Sequence, residues 1–127
     1  RMRFRRNMER LGEILAYEVS KKLDYQPASV QTPLGTAHTH LLAQQPVLAT
    51  ILRAGLPLYQ GFVNVFDQAE SAFIGAFRGK PNDDHSFEIE MQYTAMPSLE
   101  GKPLILIDPM LATGKSVIRT LASLRPY

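Results

Sequence analysis

The residues best equipped for chemistry lie in one stretch, Asp108-Pro109-Met110-Leu111-Ala112-Thr113-Gly114-Lys115-Ser116, directly after the apolar run Leu104-Ile105-Leu106-Ile107. An apolar run, a polar loop and then a helical pattern form the layout of a strand that ends at a ligand site. Open α/β sheets bind ligands beyond the carboxyl ends of their strands. A loop entering a helix there turns unpaired N–H groups outward, and the helix dipole favours an anion. Thr113 and Ser116 add hydroxyl donors, Gly114 lets a phosphate approach the backbone, and Lys115 brings a positive charge. The stretch reads as a phosphate cradle. Asp108 needs a separate role, since a carboxylate repels phosphate; the two hydroxyls of a ribose cis-diol are natural donors to it. The plainer alternative is an Asp turn at a helix N-cap.

Gly114-Lys115-Ser116 also supplies the end of a P-loop, G-x-x-x-x-G-K-[ST], which would make the chain a nucleotide hydrolase. The first glycine of that pattern falls on Pro109, which can neither donate an N–H nor take a positive φ. The pattern fails where its mechanism needs it. Arg53 follows the apolar run Val47–Leu52 and Arg78 follows residues 72–77, so both can converge on one rim and meet concentrated negative charge. A surface ion pair is the bland alternative for each. His38 and His40 share one strand face without a third ligand nearby, so an exposed pair is expected rather than a metal site. His85 lies in a polar turn and is expected to be solvated. No metal ligands are expected, and with no cysteine in the chain, disulfides, thiolate metal sites and a cysteine nucleophile are excluded.

Positioning these residues calls for a particular set of elements. Phe4, Met8, Leu11, Leu15, Val19 and Leu23 recur at three- and four-residue spacing, one apolar stripe of a helix over 3–23. Gly12 inside it costs about 1 kcal/mol relative to Ala, so tertiary packing must support that helix. Short strands are expected at 29–32 and 36–42 around the turn Pro33-Leu34-Gly35. Val47–Leu52 reads as a strand covered on both faces, followed by Arg53-Ala54-Gly55 and a helix over 57–65. Residues 72–77 form another strand, and Phe87, Ile89, Met91 and Tyr93 alternate with polar residues in a half-exposed one. Paired antiparallel across the polar cluster 79–84, they would make a projecting β-arm whose apolar face is arm core or a dimer contact. Leu104–Ile107 is a second buried strand, 108–114 a loop that Met110 and Leu111 help to pack, and Lys115–Leu124 a helix. Two buried strands each followed by a loop and a helix indicate an α/β fold, a parallel sheet with flanking helices.

The chain has 127 residues, 45% apolar and 20% charged, which excludes disordered and low-complexity classes and suggests one domain, 1–127. The formal charge is +2, but five of the arginines lie within the first ten residues. A local cluster without an aromatic platform points to a solvated helix start or subunit contact, not to nucleic acid. No apolar run approaches the roughly 20 residues that span a bilayer, so no membrane association is expected and the location is read as cytoplasmic. A start at Arg1 and a stop at Pro126-Tyr127, directly after a helical pattern, look like cuts through a longer protein, so the C-terminal part of the domain is expected to be missing.

The run DPMLATGKS resembles the phosphoribosyl-diphosphate loop of uracil phosphoribosyltransferases, in which the acid is followed by Pro-Met. Ile51-Leu52-Arg53-Ala54-Gly55-Leu56 is similar to that family's diphosphate-binding turn. Thr32-Pro33-Leu34-Gly35, Tyr17-Glu18 and Ile74-Gly75-Ala76-Phe77-Arg78 also match family landmarks, so the likeness runs over 4–124. It implies a type I phosphoribosyltransferase fold and a reaction in which uracil and phosphoribosyl diphosphate give uridine monophosphate and diphosphate, a step of pyrimidine salvage. On that resemblance Arg53, Ala54, Gly55, Arg78, Asp108, Pro109, Met110, Leu111, Ala112, Thr113, Gly114, Lys115 and Ser116 would bind phosphoribosyl diphosphate. Asp108, Arg53 and Arg78 would carry the chemistry, with the arginines and a Mg²⁺ brought by the substrate stabilising the departing diphosphate. The base nitrogen attacks directly, so no covalent nucleophile is needed. The resemblance also implies a homodimer or higher homo-oligomer and admits GTP as an activator. A noncatalytic regulatory protein that binds phosphoribosyl diphosphate is the alternative. Three departures stand out: Lys115 replaces a second glycine, Gly79-Lys80 follows Arg78 where an aspartate is common, and the uracil-binding segment lies beyond Tyr127.

Overall fold

The strand Val47–Leu52 (β3) is the pivot of a four-stranded sheet ordered β5-β4-β3-β6, with β4 at Glu70–Pro81, β5 at Phe87–Ala95 and β6 at Leu104–Ile107. The computed structural model describes residues 1–81 and 87–124, with side chains of 76–81 and 87–93 left aside. Both neighbours of β3 run parallel to it. Val47 to Leu52 pair with Glu70 to Gly75 on one side, and Val47 to Thr50 pair with Leu104 to Ile107 on the other. Successive β3 residues feed opposite faces, as strand geometry requires. Leu48 joins Ala16, Leu58, Phe62, Phe66 and Ile107 on one face; Val47 and Ala49 join Ala72, Ile74 and Leu124 on the other. Each fully buried branched side chain there contributes about 2 kcal/mol of transfer free energy.

Helices α1 (Met2–Ser20) and α2 (Leu56–Val65) cover the first face, and α3 (Lys115–Leu124) meets the second. The expected α/β architecture of a parallel sheet with flanking helices is therefore present. The first helix ends at Ser20, short of the expected 23, and packs only part of the expected stripe. Gly12 and Ala16 are its buried residues, whereas Phe4, Leu11 and Leu15 stay 68%, 49% and 46% exposed. The reason is a close crossing of α1 and α2. A Cβ on Gly12 would strike the Leu58 carbonyl and come within 3.0 Å of the Gly61 Cα. Small residues let the two backbones touch, so the closest contact runs along them; of the expected stripe, Met8, Val19 and Leu23 pack against the core beside them, and Phe4, Leu11 and Leu15 do not. The Asn64 amide closes the crossing, donating to Glu13 at 2.7 Å and Glu9 at 3.3 Å.

The antiparallel pairing of β4 with β5 is present too, but its first strand starts earlier than expected. Glu70 to Gly75 belong to the body of the sheet beside β3, and from Ala76 onward β4 pairs with β5 alone. A polar start, Glu70-Ser71, hides that portion from a hydrophobicity reading; it is anchored instead by an ion pair of Glu70 with Lys102 and a hydrogen bond between Ser71 and the Tyr59 hydroxyl. Of the polar cluster 79–84 expected to form the turn, residues 79–81 belong to β4; residues 82–86, with His85, lie outside the described residues, as does the side-chain face at 87–93.

Strands β1 (Tyr25–Thr32) and β2 (Gly35–Leu42) form a separate antiparallel hairpin, longer at its start than the expected 29–32. Pro27 is compatible with pairing because a two-stranded sheet has only edge strands. Thr32 closes the turn by donating to the Gly35 carbonyl at 2.7 Å, and Gly35 takes φ +136°, a conformation that favours glycine. Among the described residues no helix is long and apolar enough to cross a membrane.

Candidate functional site

Because β3 and β6 are adjacent and parallel, the loops leaving their carboxyl ends start side by side. Thr50 pairs with Ile107, so the Arg53-Ala54-Gly55 turn and the Asp108 loop rise from neighbouring strand ends. This is the edge at which open α/β sheets bind ligands.

The first loop is short and tightly bonded. The Leu52-Arg53 peptide is cis. The Gly55 N–H donates to the Ile51 carbonyl at 3.1 Å, and the Tyr59 N–H donates to the Gly55 carbonyl at 2.9 Å, which runs the turn straight into α2. Pro57 sits in the first turn of α2, where its missing N–H costs no helical bond. Arg53 and Ala54 are exposed on the rim, while Gly55 is buried beneath them. With φ −70° Gly55 is conformationally ordinary. Space is what requires glycine: a Cβ would strike the Thr50 hydroxyl and sit 2.9 Å from the Ile51 carbonyl oxygen.

The second loop begins at half-buried Asp108, whose Oδ1 accepts a hydrogen bond from the Met110 N–H at 3.2 Å. This Asx-type turn fixes the carboxylate and leaves its other oxygen open. Thr113 is exposed, and its hydroxyl oxygen accepts a long hydrogen bond of 3.5 Å from the Lys115 N–H. Gly114 has φ +72°, the left-handed region, and an added Cβ would meet nothing nearer than 3.9 Å. Here conformation, not space, selects glycine. Its carbonyl accepts from the Ile118 N–H at 2.9 Å, starting α3. Lys115 is exposed and Ser116 half-buried in that first turn.

Met110 and Leu111 were expected to pack the loop, and the structure corrects this: both side chains are largely exposed. The loop leaves the end of the sheet with no described element over it. Pro109 is half-buried and Ala112 exposed on the same loop. Arg78 lies on β4 opposite Ile89, in the portion paired only with β5, and its side chain is outside the described residues.

Electrostatically the rim suits an anion. Among the described residues neither Arg53 nor Lys115 has a carboxylate within ion-pair distance. Elsewhere, His38 Nδ1 lies 3.0 Å from the Ser29 hydroxyl across the hairpin, and no group of three or more potential metal ligands gathers among the described residues. Two of the five N-terminal arginines make local contacts: Arg6 pairs with Glu9 at 3.1 Å, and Arg10 donates to Asn7 at 3.3 Å. Thr50, beneath the site, was missed at the sequence level. Its only signal there is a single hydroxyl inside an otherwise apolar strand.

Comparison with known proteins bears on the whole chain. The family model for uracil phosphoribosyltransferase matches residues 1–127. A uracil phosphoribosyltransferase of Porphyromonas gingivalis is 53% identical over 117 residues, which cover 92% of this chain and 54% of that protein. One from Methanothermobacter thermautotrophicus is 39% identical over 126 residues, covering 98% of this chain and 57% of its own. A solved structure of a protein from Aquifex aeolicus superposes with a TM-score of 0.83 at 30% identity, covering 96% of this chain and 57% of that one. The chain spans about half the length of the curated relatives it matches.

Proposed function

This chain belongs to the uracil phosphoribosyltransferase family, and we propose that the complete protein transfers the phosphoribosyl group of phosphoribosyl diphosphate to uracil, giving uridine monophosphate and diphosphate in pyrimidine salvage. The observation that carries this reading is the pair of loops at the ends of β3 and β6. They present two cations, Arg53 and Lys115, that make no ion pair among the described residues, with Asp108 on the second of the two loops. A ligand anionic at both ends and hydroxylated in its middle matches that order of charges.

On this reading the Thr113–Ser116 segment holds the 5′-phosphate through backbone N–H groups, hydroxyls and Lys115. Asp108 accepts hydrogen bonds from the ribose hydroxyls through its open oxygen and favours the positive charge that develops at the anomeric carbon. Arg53, joined by Arg78, draws off charge from the departing diphosphate. Holding both ends of the sugar fixes the anomeric carbon for in-line attack by the base nitrogen, which supplies much of the rate enhancement. A Mg²⁺ brought by the substrate would be held by the substrate's own oxygens, and Asp108 is the carboxylate of these two loops that could accept it. When bound, that ion supplies charge neutralisation of the leaving group. The same reading includes a homodimer or higher homo-oligomer working in the cytoplasm.

A steady-state assay of the complete protein with labelled uracil and phosphoribosyl diphosphate tests the reading. Turnover to labelled uridine monophosphate is expected. Binding of phosphoribosyl diphosphate without turnover would make the protein a sensor, and hydrolysis of adenosine triphosphate instead would revive the P-loop.

A further inference from the structure

Thr50 is a hydroxyl residue in β3, buried at five of its six positions, and the roles above do not use its oxygen. It is 0% exposed. Its Oγ1 donates to the Ile107 carbonyl oxygen at 3.3 Å, across to the neighbouring strand. Ile107 is the last residue of β6, directly before Asp108. The same hydroxyl lies under the Arg53 turn, where it occupies the place that a Cβ on Gly55 would take. That position is also 3.2 Å from the Ile107 carbonyl oxygen. One hydroxyl therefore bonds the root of the Asp108 loop and packs against the root of the Arg53 turn.

We propose that Thr50 is a positioning residue, which sets the separation between the Arg53 turn and the Asp108 loop so that both ends of a single two-ended substrate are met at once. The proposal rests on the phosphoribosyl-diphosphate reading of the site. A ligand held at two ends gains affinity because the second contact forms intramolecularly, and that gain depends on the spacing of the two half-sites. A ligand with only one of the ends has no such dependence. Thr50 therefore affects affinity for the joined ligand and not for its separate parts.

The test is calorimetric titration of the complete protein, with Mg²⁺ present, against phosphoribosyl diphosphate, ribose 5-phosphate and inorganic diphosphate. Thr50→Val keeps the side-chain shape and removes the hydroxyl; Thr50→Ser keeps the hydroxyl. Thr50→Val is expected to weaken phosphoribosyl diphosphate about 10-fold, with each one-ended ligand within about twofold of the unaltered protein. Thr50→Ser restores the two-ended affinity. Equal weakening of all three ligands would show that Thr50 only supports the fold, and no weakening of any would show that it sets no spacing; either result overturns the proposal. Should Thr50→Val not fold, Thr50→Cys, of similar size with a weak donor, carries the same three-ligand comparison. If the unaltered protein binds none of the three, the phosphoribosyl-diphosphate reading itself fails and the proposal falls with it.

Discussion

Replacing Gly55 by Ala separates local preference from tertiary demand at the diphosphate turn. With φ −70° the position accepts alanine without strain, and lost unfolded-state freedom alone would stabilise the protein by about 0.4–1 kcal/mol. The surroundings oppose this. An added Cβ meets the Thr50 hydroxyl and the Ile51 and Ile107 carbonyl oxygens, the latter two at 2.9 and 3.2 Å. Two of these three atoms are backbone and cannot rotate away, and moving Thr50 breaks its bond to Ile107. The turn must lift by roughly 0.5 Å, an overpacking cost of about 1–3 kcal/mol, which leaves a net loss. In a complete protein of the relatives' length each kcal/mol lowers the melting temperature by about 2–4 °C. Lifting the turn also moves Arg53, so turnover should fall about 10- to 100-fold. Thermal melts by circular dichroism and steady-state kinetics read both effects. Adding Thr50→Ala to Gly55→Ala removes one clashing atom and should recover part of the stability, a non-additivity expected only of residues in contact. A Gly55→Ala protein that melts at or above the unaltered one with full turnover would refute the close approach.

Three further outcomes follow from other contacts. Gly61→Ala should destabilise by about 2 kcal/mol in urea unfolding despite a helix-propensity gain of about 1 kcal/mol, because its Cβ would sit 2.6 Å from the Glu13 nitrogen and 2.7 Å from the Gly12 Cα. Thr120→Val should be neutral or stabilising in the same assay, since the buried Thr120 hydroxyl has no hydrogen-bond partner among the described residues; a loss above about 1.5 kcal/mol would expose a partner. Asp108→Asn should lower turnover about 100-fold while leaving the affinity for inorganic phosphate intact, and loss of phosphate binding would overturn the division of roles in the loop.

The parts of this molecule written in contiguous residue types were legible from the chain. Leu104–Ile107, the loop after it and the helix Lys115–Leu124 lie where the apolar run, the glycine and the helical period placed them. Features that depend on what lies opposite were not. Of the stripe Phe4, Met8, Leu11, Leu15, Val19 and Leu23, only Met8, Val19 and Leu23 pack against the core, and the closest contact is made by Gly12 and Ala16, because the partner surface at Gly61 is itself a glycine. The start of β4 was hidden because Glu70 and Ser71 satisfy their polar groups through Lys102 and Tyr59, distant in sequence. Thr50 looked like a tolerated polar residue until the register of β3 on β6 set it against Ile107. At the site, residue types announced the anion chemistry, while the adjacency of the two loops needed the sheet order.

Arg53→Ala bears most directly on the assignment of this rim to diphosphate chemistry. In the complete protein, kcat/KM for phosphoribosyl diphosphate should fall by at least about 100-fold, with the melting temperature unchanged, because Arg53 is exposed and makes no ion pair among the described residues. Unchanged kcat/KM, or a loss of activity that merely tracks a loss of folding, would contradict it.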